Sequence, residues 1–153
     1  MNEPGAMAVS TRMPGHLIRR LHQVSTQVFL QRVRDSGFDL TPVQFAALDA
    51  LRHKPGIDQA SLAQLIAKDR ATIGAVVSRL EQKGLVKRVV STRDKRARVL
   101  TLTDEGEAMI TALVPIVERL QKEILPGLSD AEYRQFVALA AKAAQASDRI
   151  GED

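Results

Sequence analysis

The sequence predicts a mainly α-helical protein with a small β-hairpin wing, a winged helix-turn-helix in the order α-α-α-α-β-β-α-α. Three observations carry this prediction. Apolar residues recur at helical spacing over most of the chain. Near the middle, a short helical segment and a longer one are separated only by a tight turn. Directly after them, two stretches rich in β-branched residues flank the charged sequence TRDK, which is typical of a hairpin.

The composition limits the possible functions. The chain has 153 residues, a formal net charge of +4, 44% hydrophobic and 3% aromatic residues, which fits one domain with an aliphatic core. The positive net charge suits an anionic partner, either nucleic acid or a membrane surface. The lack of cysteine excludes disulfides, thiolate catalysis and thiol-based sensing. No apolar run reaches the ~20 residues that span a bilayer, and no signal-type segment opens the sequence. We therefore expect a cytoplasmic protein without a membrane partner.

The first part of the chain predicts a flexible N-terminus at residues 1–14 and then two helices. Apolar residues at helical spacing define the first helix over about residues 15–34. The second helix has a strong start signal, because Thr41 and Gln44 form a capping box around a proline in the first turn. The sequence HKPG ends this helix at about residue 53.

The helix-turn-helix pattern lies in the third and fourth helices. Asp58 is the expected N-cap of the third helix, and Asp69 is the expected N-cap of the fourth. The fourth helix carries an apolar stripe at positions i, i+3, i+4 and i+7 and ends at Gly84, a typical residue after the last turn. This stripe consists of Ile73, Val76, Val77 and Leu80.

Two more helices follow the hairpin. The fifth begins at Thr103 or Asp104 and carries a long apolar stripe with Pro115 inside it, where we expect a kink. The sixth begins at a capping box formed by Ser129 and Glu132 and runs to about residue 148. The terminal helices offer more apolar surface than one small lobe needs, which predicts self-association as a homodimer.

The fourth helix has the features of a DNA-recognition helix. A major groove ~12 Å wide admits one α-helix, so this helix must bury one face and expose the other. The open face carries small and basic residues, which let the backbone approach base edges and supply donors to phosphate or guanine. These residues are Arg70, Ala71, Thr72, Gly74, Ala75, Ser78 and Arg79. Gly74 has two interpretations, close approach to DNA or packing against a neighbouring helix.

The hairpin tip is the second candidate DNA contact. Six basic residues and one acid lie between positions 87 and 98. A tip that bears Arg93, Lys95 and Arg96 can follow a phosphate backbone or enter a narrow minor groove. A solvated charged turn is the alternative, but the position directly after a helix-turn-helix favours DNA. Asp94 has two candidate roles, forming the turn and bracing the long side chain of Arg96.

The wing and the start of the fifth helix share the pattern D-x-R…L-x-LT-x-x-G. Its residues here are Asp94, Arg96, Leu100, Leu102, Thr103 and Gly106. With this pattern, residues 69–106 resemble the recognition helix and wing of the MarR family of bacterial transcriptional regulators, and LTPVQFAALDAL resembles the family's second helix. The resemblance covers about residues 15–148. It implies a homodimer that binds a pseudo-palindromic double-stranded DNA operator and usually represses transcription. It also implies that Arg96 enters the minor groove and that Asp94 helps to anchor it.

The expected domain organisation follows from these elements. Residues 15–153 form a single MarR-like domain. Its winged-helix DNA-binding lobe spans about residues 41–103, and helices at about 15–36 and 104–150 form the dimerisation region. A two-fold dimer places two recognition helices about one DNA turn apart.

The segment GHLIRRLHQ in the first helix is the candidate effector site. Many members of the family respond to small aromatic or phenolic acids, and the segment resembles regulators of aromatic-acid catabolism. His16, Arg19 or Arg20, and Gln23 share one helix face and can clamp a carboxylate and a hydroxyl group. A solvated basic face or an interhelical salt bridge is the alternative. Phe45 is a candidate for lining the pocket, with a core position as the alternative. An acyl-CoA effector also remains open.

The sequence therefore predicts a ligand-responsive DNA-binding repressor. The alternative is a constitutive or architectural DNA-binding protein without an effector. We do not expect an enzyme, because the sequence contains no nucleophile–base pair, no glycine-rich phosphate loop and no metal motif. No cofactor is expected either, and the three histidines do not form a ligand cluster.

Overall fold

A computed structural model describes residues 8–66 and 69–148 of the chain. After a 3-10 turn at Val9–Arg12, the elements follow the predicted order and confirm the predicted fold class. They are α1 (Pro14–Asp35), α2 (Pro42–His53), α3 (Gln59–Leu65), α4 (Arg70–Gln82), β1 (Val86–Val90), β2 (Arg98–Leu102), α5 (Asp104–Ile124) and α6 (Asp130–Ser147). Of the expected flexible N-terminus, residues 1–7 lie outside the described residues. Residues 149–153, at the end of the expected dimerisation region, lie outside them as well.

Side chains at the helix starts explain where five of the helices begin. Each accepts a hydrogen bond from the backbone N–H group three residues later, which satisfies a donor that the helix itself leaves free. These caps are Thr41, Asp58, Asp69, Thr103 and Ser129. The capping boxes predicted at the starts of α2 and α6 are both present.

The hairpin is docked onto the helical part of the lobe. Strands β1 and β2 pair antiparallel, with Val86 opposite Leu102. Leu100 on β2 also exchanges two backbone hydrogen bonds with the loop before α3: its N–H donates to the Ile57 carbonyl at 2.8 Å, and its carbonyl accepts from Gly56 at 2.9 Å. The base of the wing is therefore held by the helix-turn-helix, and the tip extends beyond it.

One aliphatic core is shared by the five helices α1 to α5 and by the hairpin. Its largest fully buried side chains are Leu40, Leu48, Leu51, Leu62, Ile73, Leu80, Leu100, Ile110, Leu113, Leu120, Val33 and Val77. The predicted apolar stripe of α4 faces this core, with Val76 partly buried at its margin. Helix α5 is continuous through Pro115, and the kink expected there stays a prediction.

Helix α6 differs from the other long helices because none of its residues is buried. Val137 and Leu139 on this helix are 47% and 59% exposed, although both are large apolar residues. None of the described helices is long and apolar enough to cross a membrane.

Candidate nucleic-acid interface

The start of α4 is fixed by its N-cap. The carboxylate of Asp69 accepts hydrogen bonds from the hydroxyl group of Thr72 at 2.7 Å and from its backbone N–H at 2.8 Å. These bonds, the side-chain bond first, hold the pKa of Asp69 below its ordinary value. The cap is therefore a carboxylate at neutral pH, which is the form that a helix N-terminus favours.

The structure separates the two faces of α4 as expected. Ile73, Val77 and Leu80 are fully buried beneath the helix. The residues predicted to face DNA are exposed, except for the half-buried Gly74. The exposed ones are Arg70, Ala71, Thr72, Ala75, Ser78 and Arg79. α4 thus presents a surface of small side chains flanked by two arginines, and its contact with DNA stays a prediction.

Gly74 lies against the neighbouring helix. A Cβ atom added at Gly74 would be 3.3 Å from the side-chain nitrogen of Gln59, the first residue of α3. This contact supports the packing interpretation of Gly74. Close approach of Gly74 to DNA stays a prediction.

The wing tip is a turn ordered by short polar side chains. The Ser91 hydroxyl oxygen accepts from the backbone N–H groups of Arg93 and Asp94, and Asp94 Oδ1 accepts from the backbone N–H of Arg96 at 3.0 Å. The side chains of Arg93, Lys95 and Arg96 are exposed around this turn. Their positive charge is therefore carried on an ordered backbone.

Asp94 has one of its two expected roles. It forms the turn through the backbone of Arg96, as its residue type predicted. In the described part of the chain no ion pair joins its carboxylate to the guanidinium of Arg96, so the expected side-chain brace is absent. The physical reason is proximity: two residues apart in a tight turn, the backbone N–H is nearer to the carboxylate than the end of a long side chain.

The junction between α4 and β1 is tightly bonded. Gly84 has a φ of +74°, its N–H donates to the Glu81 carbonyl at 2.9 Å, and the Leu85 N–H donates to the Leu80 carbonyl at 3.0 Å. These two bonds are the pattern in which a left-handed glycine ends a helix. The wing therefore leaves the recognition helix in one defined direction.

Two ion pairs at this end of α4 were missed by sequence reasoning. Glu81 pairs with Arg88 on β1 at 2.7 Å. Lys83 Nζ donates to the backbone carbonyl of Asp39 at 2.7 Å and lies 3.8 Å from its carboxylate. No sequence pattern marked them, because the partners do not share a helix face and meet only after the chain has turned.

The candidate effector residues on α1 share an exposed face. Arg19, Arg20 and Gln23 are exposed and His16 is half-buried, and a guanidinium nitrogen of Arg19 lies 3.3 Å from His16 Nδ1. Their capacity to bind a ligand stays a prediction.

Phe45 stands apart from that face within the chain. It packs against the core and meets Phe29 edge-to-face, with ring centroids 6.0 Å apart. Phe29 lies six residues beyond Gln23 on α1, about 9 Å along the helix axis. The structure therefore favours the core interpretation of Phe45. Within residues 8–66 and 69–148, no group of acids and histidines is placed to hold a metal ion.

Comparisons with known proteins give these features a context. Residues 38–97, which include the helix-turn-helix and most of the wing, match the model of the MarR family. The transcriptional regulator HosA of Escherichia coli O157:H7 is 36% identical over 127 residues, which cover 83% of this chain and 91% of that protein. The HTH-type transcriptional repressor NicR of Pseudomonas putida is 31% identical over 141 residues, which cover 92% of this chain and 88% of NicR.

A solved structure shows the same architecture. The chain superimposes on BpsR of Bordetella bronchiseptica with a TM-score of 0.82 and 32% identity, covering 92% of this chain and 98% of that one. The BpsR structure concerns the regulation of its DNA binding by 6-hydroxynicotinic acid.

Proposed function

This chain belongs to the MarR family of transcriptional regulators, and on that premise we propose that it is a homodimeric repressor released from its operator by a small aromatic acid. The observation that carries the proposal is the exposed face of α4 beside an ordered basic hairpin tip. Regulators of this family are not enzymes. The repressor NicR, 31% identical, supports repression as the direction of control.

The DNA-binding surface combines two kinds of contact. The small side chains of α4 suit close approach to base edges in the major groove, with Arg70 and Arg79 as donors at its margins. Arg93, Lys95 and Arg96 at the wing tip suit phosphate groups or a narrow minor groove. Since both surfaces belong to one lobe, they can engage neighbouring grooves together.

Exposed apolar surface supports the homodimer. Ile18 on α1 is 65% exposed and Leu139 on α6 is 59% exposed. A helix of 18 residues that buries none of its side chains gains little from the core of its own chain, so a second copy is the natural cover for α6. A two-fold axis among α1, α5 and α6 leaves both copies of α4 free for successive major grooves.

The effector proposal rests on the chemistry of α1. An arginine beside a histidine and an amide offers donors for a carboxylate and partners for a hydroxyl group, and 6-hydroxynicotinic acid carries a carboxylate on an aromatic ring. The BpsR structure, 32% identical, supports an effector of this class. A constitutive DNA-binding protein without an effector is the second candidate.

A release assay tests the effector proposal. Fluorescently labelled duplexes selected from a random pool are titrated with protein and then with salicylate, benzoate, a hydroxycinnamate and 6-hydroxynicotinate. We expect at least one of these acids to release the duplex from the wild-type protein. Arg19→Ala should bind DNA normally and need far more acid for release. Arg34→Ala, an exposed arginine on the same helix, is the matched control.

The contrary outcomes separate the candidates. If no acid releases DNA or shifts the thermal unfolding of the protein, the proposal of a small aromatic acid as effector is wrong. If Arg19→Ala releases DNA at the wild-type concentration of acid, the clamp on α1 is wrong.

A further inference from the structure

Glu81 and Arg88 connect the recognition helix to the wing. Glu81 lies in the last turn of α4, and Arg88 is the middle residue of β1. The Arg88 Nε–H donates to Glu81 Oε1 at 2.7 Å, and each side chain is 34% exposed. Hydrogen-bonded charges at this distance form a defined contact between two elements that are both expected to touch DNA.

The ion pair adds a second attachment to the junction at Gly84. The backbone bonds there fix the direction in which the chain leaves α4. These bonds, and those of Leu100 to the loop before α3, do not join β1 to the side chains of α4, so the hairpin can still tilt relative to that helix. The bond to Arg88 lies four residues further along, on the strand whose partner Leu100 is bonded to the loop before α3. The tilt of the wing relative to α4 is therefore set from both of its strands.

We propose that Glu81 is a positioning residue for DNA binding, which holds the wing through Arg88 at the angle that lets α4 and the wing tip contact DNA together. This inference rests on the proposed DNA-binding function. Glu81 itself does not touch DNA, since its carboxylate would repel phosphate. Its effect is to fix the angle between the wing and α4 in the free protein, so that DNA binding does not have to order the wing.

A simpler account treats Arg88 as one more phosphate contact that Glu81 merely screens. The two accounts predict opposite changes in DNA affinity when Glu81 is replaced. Loss of the Glu81 carboxylate makes the protein more positive and frees Arg88, so the screening account predicts tighter binding. The positioning account predicts weaker binding, because the wing then samples angles at which its tip misses the DNA. It also predicts an unchanged salt dependence, because the number of phosphate contacts in the final complex is the same.

The experiment measures the Kd of the homodimer for a duplex selected from a random pool, at several salt concentrations. The variants are Glu81→Ala, Arg88→Ala and the exchange Glu81→Arg with Arg88→Glu. Alanine suits a helix, so Glu81→Ala leaves α4 intact. Glu118→Ala, which removes an exposed carboxylate from α5 without an ion pair to any described residue, is the matched control for charge. Thermal unfolding of each variant checks folding.

We expect Glu81→Ala to bind about three- to tenfold more weakly with an unchanged salt slope, and the exchange to recover most of this loss. Binding by Glu81→Ala that equals or exceeds the wild type, or an exchange that recovers nothing, overturns the positioning role while the DNA-binding function stands. A wild-type protein that selects no duplex and binds without salt dependence overturns both.

Discussion

The hydroxyl group of Thr103 donates a 2.6 Å hydrogen bond to the backbone carbonyl of Gly84, which joins the start of α5 to the end of α4. The same hydroxyl oxygen accepts from the Gly106 N–H at 3.0 Å, and the Thr103 N–H donates to the Leu85 carbonyl at 3.0 Å. Recognition helix, wing and α5 therefore meet at one junction. Thr103 and Gly106, two residues of the motif L-x-LT-x-x-G that was recognised in the sequence by resemblance, form this junction.

Replacement of Thr103 by valine should weaken the junction. Valine keeps the shape of the side chain but removes both the cap and the bond to Gly84. We expect a loss of about 1–2 kcal/mol in the free energy of unfolding, measured by urea denaturation. Thr103→Ser retains the hydroxyl and serves as the control. Equal stability of the valine and serine variants would show that these bonds contribute nothing.

Gly106→Ala should be more damaging than its small size suggests. An added Cβ would overlap the backbone carbonyl oxygen of Leu85, which cannot move without shifting the start of the wing. Overpacking of this kind costs about 1–3 kcal/mol, so the urea midpoint should fall clearly. Gly15→Ala on α1, where an added Cβ meets nothing within 4 Å, should stay within about 1 kcal/mol of the wild type. Similar stability of the two variants would contradict the crowding at Gly106.

Gly74→Ala separates the two interpretations of this glycine. The new methyl group displaces only the end of the Gln59 side chain, and alanine gains up to ~1 kcal/mol in helix propensity, so stability should not fall. If α4 approaches DNA closely at this position, binding weakens while the unfolding midpoint holds. Unchanged DNA affinity would instead confine Gly74 to a packing role. The two readings come from urea denaturation and fluorescence anisotropy on the same sample.

Asp94→Ala should lower DNA affinity although it makes the protein more positive. The carboxylate orders the backbone at Arg96, and its loss frees the turn that presents the basic tip. Asp94→Asn retains an oxygen for the same bond and should bind more tightly than the alanine variant. Tighter binding by Asp94→Ala than by the wild type would show that simple charge counting governs the wing. Anisotropy titrations at one fixed salt concentration decide between these outcomes.

The fold could be predicted from the sequence where local chemistry decides it. The capping box at Thr41 and Gln44 fixed the start of α2, and Gly84 marked the end of α4 through its left-handed conformation. The burial pattern of α4 followed from spacing alone, since its apolar residues recur on one face. Such signals involve residues a few positions apart, so the sequence displays them directly.

Contacts between separate helices and strands could not be predicted from the sequence. The ion pair of Glu81 with Arg88 and the bond from Lys83 to Asp39 exist only because the chain turns back on itself. The brace expected between Asp94 and the side chain of Arg96 is not formed in the structure, where Asp94 Oδ1 accepts a hydrogen bond from the backbone N–H of Arg96. The exposure of Val137 and Leu139 on α6 also depends on how the elements pack, and it agrees with the self-association predicted from the terminal helices.

Selection of duplexes from a random pool, followed by sequencing, tests the central proposal most directly. A two-fold dimer that reads DNA with two copies of α4 should enrich an inverted repeat whose half-site centres lie about 10 base pairs apart. Arg96→Ala should bind the enriched duplex more weakly than the wild type without a change in thermal unfolding. A pool without an enriched repeat, or equal binding by Arg96→Ala, would contradict the proposal that α4 and the wing form an operator-binding surface.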